Sequence, residues 1–262
     1  MATLLGLAEL TSSSERTLKL IVEYEGTHLC GWQRQDNGPT VQQHLEDAIR
    51  AMTQEDTQLL GASRTDSGVH AIGQVASFKT MRDISPFGFR RGINTSIPPS
   101  IAVRAIEEVH KGFHPRFDAS GKHYRYTILN RSPPSPTRRA HSWHRAQLLD
   151  LDAMRAAAQV LLGEHDFAAF RAAGCGAATT NRRIDRIDFE RTEDEVTIDV
   201  WGNAFLRNMV RILAGCLVDA GQGRLSPKEL ERVMDSRDRR EAGQTAPAQG
   251  LTLMEVFYHS AE

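Results

Sequence analysis

The chain is expected to fold as an α+β protein, with helices packed on largely antiparallel sheets. Three observations predict this. Short segments that alternate apolar and polar residues recur along the sequence. Between them stand a few amphipathic segments that open with helix-capping residues. Both halves of the chain mix the two kinds of segment, and no repeat at the level of residues relates them.

In chain order, residues 17–25 alternate, with Leu18, Leu20, Val22 and Tyr24 on one face, as in a half-buried strand. Thr40 and Gln43 have capping-box spacing and open a helix to about Met52, with Val41, Leu45, Ala48, Ile49 and Met52 in one stripe. Residues 59–62 and 74–78 read as strands around a polar loop. Residues 87–93 suit a short helix that ends before Pro98 and Pro99. Residues 101–109 and 122–130 read as strands, the second with Tyr124, Tyr126 and Ile128 on one side. The three prolines in 132–136 make a loop, followed by Arg138, Arg139, His141, His144 and Arg145. Asp150 caps a helix to about Leu162, and residues 171–181, rich in Ala, Gly and Thr, form a loop. A strand pair is expected at 184–189 and 196–201, then a helix opened by Asn203 and running to about Ala220. Ser226, Pro227 and Glu229 start another helix with a capping box and proline in its first turn. Residues 251–258 close the chain as a strand. Residues 1–16 are expected to be a flexible tail, with a domain boundary near 112 dividing 17–112 from 113–262.

Composition narrows the class. The 262 residues are 40% hydrophobic and 25% charged, a globular balance that can bury a sizeable core. No apolar run reaches the roughly 18 residues of a membrane span. The first six residues carry no positive charge, and Glu9 breaks the apolar run, which argues against a secretory signal. Cys30, Cys175 and Cys216 are odd in number and far apart, so neither a disulfide framework nor a cysteine metal site is expected, and a reducing cytoplasmic setting fits. Net charge is −1, yet residues 82–145 hold 12 Lys and Arg against 4 Asp and Glu. Such gathering of positive charge suits a phosphate-backbone partner.

The stretch of greatest chemical interest runs from Gly61 to Ala71, with Asp66 between two expected strands. Loops held by rigid elements are where reactive groups concentrate. Gly61 and Gly68 permit tight backbone. Arg64, two residues before Asp66, can face a phosphate or hold the carboxylate ionised. His70 invites a metal reading, a hydrolase built on Asp66 and His70, but a metal site needs three or four ligands and no other cluster supplies them. No metal is expected.

This stretch resembles the G-R-T-D-x-G-V-H-A motif of the TruA family of tRNA pseudouridine synthases. Five further segments resemble that family in order: Gly31 to Gln35 (G-W-Q-R-Q), Phe113 to Ala119 (F-H-A-R-F-S-A), Tyr124 to Tyr126 (Y-R-Y), Phe205 to Arg211 (F-x-x-x-M-V-R) and Ala246 to Leu253 (A-x-A-x-G-L-x-L). Ser63 and Ser67 depart from the pattern, standing where Gly and Ala are usual.

The resemblance implies a pseudouridine synthase fold with two α+β lobes about a central basic cleft, and a homodimer acting on uridines 38, 39 and 40 of the tRNA anticodon arm. It implies that Asp66 is the catalytic residue, as nucleophile, as base for the 2′ proton or as stabiliser of positive charge at the sugar. It implies that Arg211 pairs with Asp66 and that Tyr124 packs on the uracil; the Tyr124 hydroxyl can also relay a proton. Arg207, four residues before Arg211, is expected to share its helix face, with Phe205, Met209, Ile212 and Cys216 buried behind. The neighbouring cation is expected to offset the rise in carboxyl pKa that burial causes. Leu251 is expected to close the pocket, and Arg64 to hold the flipped nucleotide out of its stack. Arg34, Gln35, Arg116, Lys122, Arg138 and Arg139 are candidate RNA contacts. No cofactor is expected, because the reaction is redox-neutral. The alternatives are a synthase with another RNA target and a non-catalytic RNA-binding protein on the same fold.

Overall fold

The computed structural model describes residues 14–259. The expected tail therefore lies mostly outside the described residues, and Arg16 already belongs to a strand. The chain runs β1 (Arg16–Tyr24), α1 (Val41–Thr53), β2 (Leu60–Gly61), β3 (His70–Thr80), α2 (Pro86–Ser96), β4 (Ile101–Val109), β5 (Ala119–Leu129), β6 (Trp143–His144), α3 (Leu151–Gln159), β7 (Gly163–Asp166), β8 (Asn181–Arg191), β9 (Glu195–Gly202), α4 (Met209–Gly221), α5 (Pro227–Ser236) and β10 (Leu251–Tyr258).

The strands form one sheet in the order β4-β1-β3-β10-β5-β9-β8-β7, with β2 beside β3 and β6 beside β5. Neighbours are antiparallel except at β10–β3 and β5–β6. This is the expected α+β class with a largely antiparallel sheet. The first half of the chain supplies β4-β1-β3 and the second supplies β5-β9-β8-β7, with β10 between them. The link from β4 to β5 contains residue 112. The parallel seam pairs Thr252 with His70 and Leu253 with Ala71. On its other edge β10 runs antiparallel to β5, placing Leu251 opposite Tyr126 and Leu253 opposite Tyr124.

Alternation decides which face of the sheet is covered. Leu18, Leu20, Val22 and Tyr24 of β1 and Lys122, Tyr124, Tyr126 and Ile128 of β5 are all buried. α1 presents its stripe of Val41, Leu45, Ala48 and Ile49 to the core and is capped by the Thr40 hydroxyl, which accepts from the Gln43 N–H. α5 carries the full capping box, the Ser226 hydroxyl accepting from Glu229 N–H and the Glu229 carboxylate accepting from Ser226 N–H. Each such cap is worth about 1 kcal/mol.

Four elements differ from expectation. β6 and β7, of two and four residues, have no alternation to betray them; they are strands because their backbones pair with β5 and β8. β3 starts at His70 rather than at residue 74, so His70 is in the sheet and not in the loop. α4 starts at Met209, not at Asn203. The Asn203 side chain accepts instead from Arg183 N–H and Ala204 N–H, and Asn208 turns the chain into the helix at φ 61°. α4 is buried almost all round, with Arg211 and Asp219 its half-buried charges.

Candidate active site

The loop from Ala62 to Val69 joins β2 to β3. Because β1 occupies one edge of β3, β2 and β10 share the other, and the loop emerges between them. Its backbone is held at successive residues. Lys122 Nζ donates to Ala62 O at 2.8 Å. The buried Gln74 side chain grips Ser63 from both sides, donating to its carbonyl at 2.7 Å and accepting from its N–H at 3.3 Å. The Thr65 hydroxyl shares a 2.7 Å hydrogen bond with the Tyr24 hydroxyl, and Thr65 O accepts from Trp32 N–H at 3.1 Å. Gly68 takes φ 79°, a conformation that favours glycine. Gly61 is small for another reason: the Trp32 indole lies where its Cβ would be.

Asp66 comes out of this scaffold half-buried. Arg211 Nη1 approaches its Oδ2 at 3.6 Å, and Arg207 Nε approaches Oδ1 at 3.9 Å. Arg207 is not on α4, as expected from spacing, but in the turn before it; the turn aims both guanidinium groups at one carboxylate. Phe205 likewise lies outside the helix, edge-on to Tyr124 with ring centres 5.2 Å apart, while Met209, Ile212 and Cys216 are buried as expected. Arg211 is fixed on three sides. Its Nε donates to Ala246 O at 2.8 Å, its Nη1 donates to Asn208 Oδ1 at 3.1 Å, and its carbonyl accepts from Ala246 N–H.

The arginines do not reverse the effect of burial. Desolvation is the largest influence on Asp66 and leaves its carboxyl above the ordinary range, with Arg211 and then Arg207 pulling it down. Neither guanidinium lies within hydrogen-bonding distance, and Arg207 is 57% exposed and screened by water. Tyr124 is buried, and its hydroxyl shares a 2.7 Å hydrogen bond with Ser63 Oγ. Burial pushes its phenol up to about 12, against the pull of the Ser63 bond and with a further push from the Asp66 charge.

The other expected site residues divide. Leu251 is buried at the start of β10, opposite Tyr126. Lys122 is buried rather than at the surface, and desolvation with repulsion from Arg116 and Arg182 lowers its ammonium to about 8. Arg64, Arg116 and Arg139 are exposed, with no carboxylate in salt-bridge reach among the described residues. Arg34 reaches Glu46 and Asp47 on α1, Arg138 pairs with Glu195, and the Gln35 amide donates to Cys30 O. Part of the basic charge of residues 82–145 is thus matched by acids elsewhere: Arg104 by Glu23, Arg125 by Asp199 and Arg131 by Asp194.

His70 does not face Asp66. Its Nδ1 accepts from Gly26 N–H at 3.0 Å, so its Nε2–H donates, to Ala140 O and Gln249 O. Glu25, His70 and His141 bring possible ligand atoms within 4.8 Å of one another, but a metal there would have to displace the Gly26 bond. Sequence reasoning missed the roles of Gln74, Tyr24 and Asn208. Gln74 carried the one available signal, a polar residue in the apolar alternation of a strand, which needs a buried partner.

Comparison with known proteins agrees with the geometry. The family described as tRNA pseudouridine synthase matches residues 20–118 and 157–259. A tRNA pseudouridine synthase A of Geotalea daltonii is 49% identical over 243 residues, covering 93% of this chain and 100% of that one. Proteins of the same name from Citrifermentans bemidjiense and Acetivibrio thermocellus are 50% and 45% identical, covering 93% of this chain and 98% and 100% of theirs. With a matched region that takes in β3, β10, α4 and the Asp66 loop, the chain belongs to the tRNA pseudouridine synthase family.

Proposed function

We propose that the protein isomerises uridine to pseudouridine at positions 38, 39 and 40 of the tRNA anticodon stem-loop, with Asp66 as the catalytic carboxylate and no cofactor. The observation that carries this reading is the convergence of Arg211 and Arg207 on Asp66 at 3.6 and 3.9 Å, beside the buried ring of Tyr124. The reaction breaks the N-glycosidic bond and joins ribose C1′ to uracil C5. It is redox-neutral, and a carboxylate suffices as its reactive group. Arg211 and Arg207 offset part of the desolvation that disfavours the charged form of Asp66. Tyr124 offers a flat face on which a detached uracil can turn, since stacking tolerates any in-plane orientation. Leu251 excludes water from the same pocket. Arg64, exposed two residues from Asp66, holds the flipped nucleotide out of its stack.

Arg116 and Arg139 bind phosphates and place the tRNA by shape, which lets one site serve three adjacent uridines. The enzyme works in the cytoplasm as a homodimer, with two α+β lobes meeting near residue 112. The test is tritium release from transcribed tRNA carrying 5-tritiated uridine, with chelator present, on substrates in which 38, 39 and 40 are replaced singly and together. C5 loses its hydrogen only when it becomes the glycosidic carbon. Release by wild type, absent from Asp66→Ala and from the triple replacement, is expected. Release that survives the triple replacement would move the target elsewhere in RNA; release by Asp66→Ala would remove Asp66 from the mechanism.

A further inference from the structure

Ser63 lies three residues before Asp66, at one of the two positions where the Asp66 loop departs from the motif it resembles. Its hydroxyl touches a residue 61 positions away, the 2.7 Å partner being the Tyr124 hydroxyl on β5. The Ser63 backbone is itself immobilised by Gln74, which has no solvent exposure and also accepts from Val75 N–H. A rigid chain therefore runs from Gln74 through Ser63 to the tip of Tyr124. The Tyr124 and Phe205 rings meet in a T-shaped contact, which packs the ring but leaves the tip of the side chain unfixed. The hydroxyl pair removes that freedom.

We propose that Ser63 is a positioning residue that locks the Tyr124 hydroxyl, and with it the uracil-facing ring, to the loop that carries Asp66. This rests on the assignment of Tyr124 to the uracil site. The bond crosses the seam between the halves of the chain, so a small shift of the loop carries Asp66 and Tyr124 together and conserves their spacing. Proximity terms depend on sub-ångström placement, which gives one hydroxyl a kinetic role without contact to the substrate. The pair also holds two hydroxyl protons and makes one mutual bond, so one proton stays available for a ligand on the Tyr124 or the Ser63 side.

The experiment is a double-mutant cycle of Ser63→Ala and Tyr124→Phe, with Ser63→Thr as conservative rescue. The readouts are single-turnover rate on tRNA, tRNA affinity and the Cζ resonance of labelled Tyr124. One neutral hydrogen bond in a desolvated site corresponds to a loss of about 2–10-fold in rate. Ser63→Ala is expected to lose that much with affinity unchanged, to shift the Tyr124 resonance, and to cause no further loss in the Tyr124→Phe background. Ser63→Thr is expected to restore the rate. A wild-type rate in Ser63→Ala alongside an impaired Tyr124→Phe overturns the inference and leaves the Tyr124 assignment standing. A silent Tyr124→Phe also overturns the inference, because phenylalanine keeps the ring and lacks only the hydroxyl that Ser63 holds; a silent Tyr124→Leu overturns the assignment of the ring to the uracil site instead. Losses that add in the double variant, or that Ser63→Thr fails to rescue, show a packing role and also overturn the inference.

Discussion

Gly31 lies far from Asp66 in sequence but against its backbone in space, and replacing it with alanine tests whether the loop's placement governs turnover. Gly31 has φ +88°, and a Cβ there would lie 2.6 Å from Thr65 O, 3.0 Å from Asp66 C and 3.1 Å from Ser67 N. All three are backbone atoms, so no side chain can swing aside. A carbon needs about 3.5 Å from such neighbours, so the loop must retreat by roughly 0.5–1 Å. The left-handed backbone costs a non-glycine residue about 1–2 kcal/mol. The Trp32 N–H to Thr65 O bond stretches, at about 1 kcal/mol more. The total of about 2–3 kcal/mol corresponds to a fall in Tm of about 4–12 °C for a chain of this size. A shift approaching 1 Å at a reactive group can cost about 100-fold in rate, so kcat is expected to fall about 10–100-fold while tRNA affinity holds. Gly223→Ala is the control, because Gly223 has φ +70° with nothing within 4 Å of its Cβ position. It carries the backbone strain without the collision. Thermal melts and tritium-release kinetics on both variants decide the matter. A Gly31→Ala enzyme that melts early but turns over at the wild-type rate would refute the claim that this contact sets the position of Asp66.

Three further outcomes follow from charge. Burial raises the Asp66 carboxyl in the fold, so its protonated form contributes stability at low pH that is lost as pH rises through its unfolded and then its folded value. Asp66→Asn is therefore expected to melt above wild type near neutral pH and to converge with it in acid; an unchanged or lower neutral Tm would contradict the assignment of burial as the dominant influence. Arg211 is the largest influence lowering that carboxyl, so Arg211→Gln should move the acid limb of the kcat profile to higher pH as well as reduce the plateau. A limb that stays in place would separate Arg211 from Asp66 ionisation. Arg116→Ala with Arg139→Ala should weaken tRNA binding and flatten the slope of log affinity against log salt by about 0.7–0.9 per lost phosphate contact, with single-turnover rate unchanged. An unaltered slope takes that surface out of the RNA footprint.

Legibility in the sequence followed locality. The capping box at Ser226 and Glu229 and the alternation of β1, β4 and β10 are set by neighbours in the chain, and these elements lie where their patterns put them. β7 reads Gly-Glu-His-Asp and has no pattern; its reason lies in β8, to which its backbone pairs. α4 misled because Asn203 has a capping residue's chemistry and spends it on Arg183 and Ala204, while the helix behind it is apolar on nearly every side and shows no stripe whose start can be found. Arg207 still reaches Asp66, from a turn rather than from a helix face. The surface candidates were the least legible. Lys122 and Arg139 look alike as cations in a sequence, yet one is buried on a carbonyl of the Asp66 loop and the other is exposed. Only the partners across the sheet separate them.

Those partners also explain how the site stays aligned. Asp66 and Tyr124 come from opposite sides of the β3–β10 seam, and the parallel register there covers two residue pairs. So short a ladder is a weak hinge by itself. The seam is bridged instead by polar contacts that each end on the Asp66 loop or beside it: Lys122 Nζ on Ala62 O, Tyr124 on Ser63, and His70 Nε2 on Gln249 O. Arg211 adds a reciprocal pair with the Ala246 backbone just before β10. Most of these groups are buried, so each partner left alone would be an unsatisfied polar atom costing about 1–3 kcal/mol. Alignment is thereby enforced by the penalty for losing it. The burial that lowers Lys122 and raises Asp66 also encloses the polar contacts that hold the carboxylate and the ring in register. A protein optimised for stability alone would fill that seam with apolar side chains and lose the fixed geometry that turnover needs.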